Sequence, residues 1–255
     1  MEEKRNGRKK VGAIIAIAAG LALLAGGGTF ALWSAYDSVN GGTITAGDLN
    51  IVAKDAKFWD VTTLRADETD SVVAVEEGEA LTFDTVPPGV NATSKVMKGH
   101  EITSIADWRM VPEDTVALVM PFEVTLEGDN LVAKMVLDAS DLFGQQDIDD
   151  AMEYTFALFD ATGTQIGTTR AISADDDEVI LGYIQANDSG QADGVNDVYQ
   201  GTSTEIPMVD VNKTAIITVV VFAHFDAEDR DHVGDADVLN SLTVTLTQVR
   251  GPVTQ

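Results

Sequence analysis

The stretch Thr214-Ala215-Ile216-Ile217-Thr218-Val219-Val220-Val221-Phe222-Ala223-His224-Phe225 decides the fold class. It is almost continuously apolar, and many of its residues are β-branched, which favours strands. Because both faces of such a strand are apolar, both must be covered by other parts of the protein. The segment Thr214–Phe225 is therefore predicted to be a central β-strand.

Other segments alternate between apolar and polar residues, as strands with one wet face do. They are Pro121–Gly128, Leu131–Asp138, Met152–Phe159 and Ser241–Val249. Their inward residues are predicted to be Phe122, Val124 and Leu126; Leu131, Ala133, Met135 and Leu137; Tyr154, Phe156 and Leu158; and Leu242, Val244 and Leu246. The connection Gly128-Asp129-Asn130 between two alternating runs predicts a β-hairpin.

Shorter strand candidates complete an all-β pattern. They are Thr43–Ala53, Ser71–Val75, Glu79–Phe83 and Glu178–Ile184. Helical patterning is confined to one or two turns at Asp147–Met152 and Asp235–Leu239. Many short strands separated by turn signals favour a sandwich or jelly roll. The predicted fold is a single jelly-roll-like β-sandwich with short helical insertions, preceded by an N-terminal signal helix.

The N-terminus has the layout of an export signal. Five basic residues between Lys4 and Lys10 precede an uncharged run that lasts until Asp37. Extended to Leu32, this run is as long as the roughly 20 residues of a membrane-spanning helix, so a retained anchor is the alternative. Gly26-Gly27-Gly28 weakens a helix, and small residues precede Ala31, which favours cleavage between Ala31 and Leu32. The predicted division is 1–31 signal peptide, 32–42 flexible segment and 43–255 β-sandwich domain.

Composition agrees with a secreted protein. The chain has 42 acidic and 16 basic residues and a net charge of −26. Such a surface repels nucleic acid and anionic membranes and attracts cations, so no nucleic-acid partner is expected. The chain has no cysteine, which excludes disulfides, thiolate metal ligands and a cysteine nucleophile. Contact with the membrane is expected only through the uncleaved signal.

The first 51 residues resemble a known class of exported proteins. Gly26-Gly27-Gly28-Thr29-Phe30-Ala31, followed by Ile44-Thr45-Ala46-Gly47-Asp48-Leu49-Asn50-Ile51, is similar to the N-termini of the TasA/camelysin family. Three scattered elements further on are also similar: Val111-Pro112-Glu113-Asp114-Thr115, Gly128-Asp129-Asn130-Leu131 and Leu246-Thr247-Gln248-Val249-Arg250. The resemblance implies processing by a signal peptidase of the SipW kind, a jelly-roll-like fold, and incorporation into a biofilm matrix or surface fibre. It departs from the family at Glu113, where a glycine is usual, and over Val61–Asp107.

Self-association through a strand is the physical mechanism that fits this role. An unpaired sheet edge presents backbone groups that an extended segment of another subunit can fill. Cleavage after Ala31 would release the segment 32–40, whose apolar anchors are Leu32, Trp33, Tyr36 and Val39. Gly41-Gly42 would be the hinge. The alternative is that Trp33 and Tyr36 only sit at the membrane interface during export and that the segment later frays.

Catalytic motifs are missing from the sequence. A secreted metallopeptidase would need a set such as His-Glu-x-x-His, which does not occur among the three histidines His100, His224 and His232. No Gly-x-Ser-x-Gly elbow or phosphate-binding glycine loop occurs either. His224 lies inside the central strand, where a hydrogen-bonded structural histidine is expected, and a His224/His232/Asp metal site is a weaker alternative. The chain is predicted not to be an enzyme and to need no cofactor.

Calcium is the one ligand that the acidic loops suggest. Three clusters, 175–178, 188–197 and 226–237, could supply oxygen ligands, but none has EF-hand spacing. The strongest candidate set is Asp188, Asp193, Asn196 and Asp197, and solvated acidic loops are the alternative. The expected function is a structural subunit of an extracellular matrix or cell-surface fibre. The alternative is a monomeric surface domain that binds calcium or carbohydrate through acidic loops.

Overall fold

A computed structural model describes residues 48–63, 70–75, 78–105, 108–128, 131–140, 151–186, 206–226 and 242–249. All of them belong to the compact unit Gly47–Gln255. Their regular structure is almost entirely β, which confirms the predicted all-β class. The strands are β1 (Asp48–Ala53), β2 (Lys57–Asp60), β3 (Ser71–Val72), β4 (Ala92–Thr93), β5 (Val96–Ile102), β6 (Thr115–Glu127), β7 (Val132–Asp138), β8 (Met152–Phe159), β9 (Gln165–Ile172), β10 (Glu178–Ala186), β11 (Met208–Val211), β12 (Lys213–Phe225) and β13 (Thr243–Gln248).

The apolar stretch that was predicted to be central forms β12, in the interior of a large sheet. This sheet has the order β3-β5-β2-β6-β12-β8-β9, and β1 also pairs with β6. β12 is antiparallel to β6 on one side and to β8 on the other. Its two faces are buried in different cores: Val219 and Val221 lie in the first, Val220 and Phe222 in the second. The prediction of a strand covered on both faces is therefore confirmed.

A smaller sheet, with the order β11-β10-β7-β13, packs on one face of the large sheet. Their shared core contains the predicted inward rows of β6, β7 and β8, including Phe122, Met135 and Phe156, all buried. Leu242, just before β13, and Val244 and Leu246 within it also pack on this core, but all three are only half-buried. The two sheets thus form a sandwich-like arrangement around one apolar layer.

The predicted hairpin at Gly128-Asp129-Asn130 is wrong. β6 lies in the large sheet and β7 in the small one, and the two strands do not pair. This connection therefore crosses between the two sheets. A turn signal in the sequence indicates that the chain changes direction. It does not indicate which strand the following segment pairs with.

A second core covers the other face of the large sheet. The chain between β2 and β5 folds over this face and buries Val73, Leu81, Phe83 and Met97 against β6, β8 and β12. Phe83 contacts Phe159 edge-on, with ring centroids 5.4 Å apart. The strand predicted at Ser71–Val75 is reduced to Ser71–Val72, and Glu79–Phe83 forms only isolated bridges, at Ala80 and Thr82. Aromatic and aliphatic packing holds this segment more than a regular ladder does.

Strands β8, β10 and β13 occur where they were predicted, and β10 continues to Ala186. β1 is described from Asp48 onward. The helical turn predicted at Asp147–Met152 lies outside the described residues up to residue 150, and Met152 itself begins β8. The turn at Asp235–Leu239 lies wholly outside them.

Pro121 occupies the middle of β6, a position that a proline rarely takes in an interior strand. The Lys54 amide donates to the Pro121 carbonyl at 2.9 Å, so the backbone of Pro121 faces the chain between β1 and β2. In a strand the nitrogen and carbonyl of one residue point to the same side. The missing N–H of Pro121 therefore faces this gap, and the ladder to β12 is unaffected.

Candidate functional site

A groove of about 440 Å³ opens on the second-core face of the large sheet. The start of β8, most of β9 and the end of β12 form its floor, and the loop 84–88 forms one wall. Its lining residues are Asp84, Thr85, Val86, Pro87, Pro88, Thr115, Glu153, Thr155, Gln165, Gly167, Thr168, Thr169, Arg170, Ala171, Phe222 and His224. The lining contains both threonine hydroxyls and apolar side chains, together with the carboxylates of Asp84 and Glu153.

Thr115 and His224 form a hydrogen-bonded pair on the floor of the groove. They are direct partners across β6 and β12, and Thr115 Oγ1 lies 2.9 Å from His224 Nδ1. Gly89 lies over the pair, because a Cβ placed on it would be 2.7 Å from Thr115 Oγ1. His224 is thus the hydrogen-bonded structural histidine that its place in the strand predicts. Thr115 is buried, with 1% of its surface exposed.

Gln165 holds the groove wall against the floor. This glutamine is buried at the start of β9. Its Oε1 accepts a hydrogen bond from the Asp84 amide at 2.9 Å, and its Nε2 donates to Thr169 Oγ1 at 3.1 Å. Both ends of the amide are therefore satisfied, which fixes the loop 84–88 to β9.

Glu153 lies next to His224 at the margin of the groove. Glu153 is the direct partner of His224 on β8 and is exposed, so the two face one side of the sheet. Among the described residues, no group of three or more His, Asp or Glu side chains is arranged to hold a metal ion. The polar residues of the lining are its threonines, His224, Gln165, Arg170 and the carboxylates Asp84 and Glu153.

Open strand edges are the second candidate site. Among the described residues, the large sheet ends in β3 and β9, and β1, which pairs with β6 alone, leaves a further edge. The small sheet ends in β11 and β13. β3 has two residues and β11 has four, too few for a long ladder. The pairing of β9 with β8 is interrupted by a register shift, and Gly167 in β9 has a φ of +70°. β13 has six residues, an unbroken register to β7, and no charge, glycine or proline.

Natural sheets protect their edges with charges, prolines, bulges or short strands. β13 (Thr243–Gln248) has none of these features. The edge strand β1 also has six residues and an unbroken register to β6, but it carries the charge of Asp48. Of the described edges, β13 is therefore the one most suited to pairing with another extended segment.

Most site residues predicted from sequence lie outside the described residues. These are the cleavage site Ala31 and Leu32, the assembly residues Leu32, Trp33, Tyr36 and Val39, the calcium candidates Asp188, Asp193, Asn196 and Asp197, and His232. His100 is exposed on β5. The acidic cluster 175–178 is exposed; residues 175–177 lie in the turn before β10, and Glu178 begins the strand. In this turn Asp176 Oδ2 accepts a hydrogen bond from the Ser173 amide at 3.1 Å.

Sequence reasoning missed the groove. Its central pair is separated by 109 positions in the chain, so no local pattern joins Thr115 to His224. The available signal was Gly89 after Pro87-Pro88, which marks a tight turn without indicating what lies beneath it.

No family model matches the chain, and neither a curated protein nor a solved structure shows significant similarity to it. Across the part of the chain that the structure describes, no helix has the length and apolar character needed to cross a bilayer.

Proposed function

We propose that this protein is an exported structural subunit of an extracellular matrix or cell-surface fibre, related to the TasA/camelysin family. A signal peptidase removes residues 1–31, and the mature chain folds as a jelly-roll-like sandwich. Subunits then associate through the segment 32–40 by strand addition. The protein acts without catalysis and without a cofactor.

The observation that supports this role best is the unprotected edge of β13. This strand is regular and uncharged, and it is the last of its sheet among the described residues, so its outer backbone groups can pair with an added strand. The segment 32–40 has matching properties, because Asp37 is its only charged residue and Leu32, Trp33, Tyr36 and Val39 are apolar. A segment with apolar anchors and an uncharged strand edge are the two halves of a strand-addition contact.

A pair of double variants tests the proposal on the mature chain 32–255. Replacing Trp33 and Tyr36 by Asp should abolish assembly, because burying a carboxylate in an apolar contact costs several kcal/mol. The matched control replaces Ser34 and Ser38 by Asp, which adds the same charge to the same segment at polar positions. Light scattering measures particle size, and circular dichroism checks that both variants fold. Normal assembly of the Trp33/Tyr36 variant would refute the role of this segment.

A second candidate function is a monomeric surface domain that binds carbohydrate. The groove over Thr115 and His224 supports it, because rows of threonine hydroxyls and a half-buried imidazole suit a neutral polyhydroxylated ligand. Titration of the mature chain with soluble matrix polysaccharides, followed by calorimetry, tests this candidate. Saturable binding that is lost in Thr155→Trp, which fills the groove, would favour it over the fibre subunit. Calcium binding through Asp188, Asp193, Asn196 and Asp197 belongs to this same alternative and is tested by titration with calcium.

A further inference from the structure

The groove beside the loop 84–88 has an arginine in its lining, but the charge of this arginine is directed away from it. The guanidinium of Arg170 donates to the carbonyl of Ile180 on the small sheet at 2.8 Å. Its central carbon also lies 5.0 Å from the ring centroid of Phe156, in the core between the two sheets. The groove lies on the other face of the large sheet. Arg170 therefore lines the groove without placing its positive charge there.

Two carboxylates remain, one towards each end of the groove. Glu153 is exposed beside His224, near the start of β8. Asp84 is also exposed, and its amide is bonded to Gln165, whose partner on β8 is Phe159. Six positions of β8 separate Glu153 from Phe159, so the two acidic ends are about 20 Å apart along the strand, at a rise of about 3.3 Å per residue. Within the described residues, neither carboxylate has an ion-pair partner.

Between the two carboxylates the groove offers hydroxyl groups next to apolar side chains. Thr155 and Thr168 line it, and in the part of the chain that the structure describes their hydroxyls have no hydrogen-bond partner. Phe222 lies in the floor, and Val86 and Pro88 lie in the wall. Sugar rings present hydroxyls at their rim and C–H groups on their faces, so they match a lining of this kind. A long groove of about 440 Å³ suits a short extended chain of such rings.

We propose that the groove binds a short extended chain of β-linked amino sugars and selects it through the charged amines. This inference rests on the second candidate function, carbohydrate binding, and names the ligand class. Amines repeated along the chain meet the carboxylates of Glu153 and Asp84, and ring hydroxyls bond to Thr155 and Thr168. The net charge of −26 attracts such a cationic chain and repels acidic polysaccharides. Because ion pairs at exposed carboxylates are weak, the amines provide selectivity more than affinity.

Three β-linked trimers of equal length test the ligand class on the mature chain 32–255: those of glucosamine, N-acetylglucosamine and glucose. Calorimetry in mildly acidic buffer, where the amines are charged, measures each affinity. The glucosamine trimer should bind about fivefold more tightly than the other two, which is the upper range for an exposed ion pair. Glu153→Gln should remove most of this preference. The matched control Glu178→Gln removes the same charge from the small sheet, outside the groove, and should retain the preference.

Each other outcome overturns a different part of the account. Equal binding of the three trimers would refute the selection of amines and leave carbohydrate binding in the groove intact. A glucosamine preference that persists in Glu153→Gln and in Thr155→Trp, both shown to be folded by circular dichroism, would mean adsorption to the acidic surface and would refute the site. If no trimer binds but a neutral matrix polysaccharide does, this inference alone is wrong. If neither binds, the second candidate function is wrong as well.

Discussion

Val244 on β13 lies directly opposite Leu137 on β7, yet Leu137 is completely buried and Val244 is only half-buried. The next inward pair repeats the difference, with Leu246 half-buried opposite the buried Met135. Opposed residues of a ladder point to the same face, so the difference does not arise from side-chain direction. Among the described residues, the small sheet ends at β13, and this leaves the apolar row of β13 partly uncovered.

A lysine on the inward face of β13 should block assembly and leave the fold intact. In Val244→Lys, the lysine can extend its ammonium to water past the open edge, so the unfolding free energy should fall by only about 1–2 kcal/mol. An added strand would bury that ammonium, which is why assembly should be lost. Light scattering and urea unfolding measure the two effects.

The control is Ile166→Lys, at a half-buried position on the edge strand β9. It should cost similar stability and assemble normally. Equal loss of assembly in both variants would contradict a specific role for β13.

Replacing Gly89 by alanine should destabilise the protein more than the same change at Gly78. Both glycines have positive φ angles, +75° and +88°, so each substitution strains the backbone by about 1–2 kcal/mol. At Gly89 the new methyl would also press on the Thr115–His224 pair, whereas nothing lies within 4 Å at Gly78. We expect an additional loss of about 1–3 kcal/mol at Gly89, measured by urea unfolding. Equal losses of unfolding free energy at the two glycines would show that the Thr115–His224 pair moves aside at no cost.

Pro121 should be replaceable at little cost. Since its nitrogen faces the gap between β1 and β2, Pro121→Ala should change the unfolding free energy by less than about 1 kcal/mol. The neighbouring Met120 directs its N–H to β12, so Met120→Pro removes a bond of the central ladder and should cost about 3 kcal/mol or more. Thermal unfolding of the two variants makes the comparison. A large loss in Pro121→Ala would contradict the assigned backbone direction.

Stability should fall in alkaline solution, in part through Tyr183. Burial raises the pKa of the Tyr183 phenol above its ordinary value of 10.0. Above this pH the unfolded chain loses the phenolic proton while the folded chain keeps it. The unfolded state then binds fewer protons, so the unfolding free energy decreases as pH rises. Between about pH 8 and about pH 11, the melting temperature of Tyr183→Phe should therefore fall less than that of the natural protein. Identical losses would mean that Tyr183 does not contribute.

Strands whose patterns are local were predictable from the sequence. β12 has two apolar faces and β13 alternates regularly, and these features are set by the residues themselves. β5 (Val96–Ile102) and β9 (Gln165–Ile172) were not predicted. Each contains a glycine and at least one charged residue, so neither has a clear period of two. They become strands through pairing with β2 and β8, which no local pattern records.

Contacts between distant segments explain the other differences. The turn after β6 could be predicted from the sequence. The strands that pair with β7 are β10 and β13, more than 30 residues further on, so no local pattern predicts this pairing. The groove likewise depends on Gly89, Thr115 and His224, which come from three separate parts of the chain. The apolar segment 32–40 and the edge strand β13 could each be noticed in sequence, whereas the lack of edge protection required the sheet order.

The most direct test of the fibre-subunit account is the particle size of two forms, 32–255 and 43–255, by size-exclusion chromatography with light scattering. The shorter form retains the whole compact unit Gly47–Gln255, so it should fold and remain monomeric. The account predicts large oligomers or polymer from 32–255 alone, with or without calcium. Monomers from both forms, with a melting temperature that rises only when calcium is added, would contradict it and favour a monomeric binding domain.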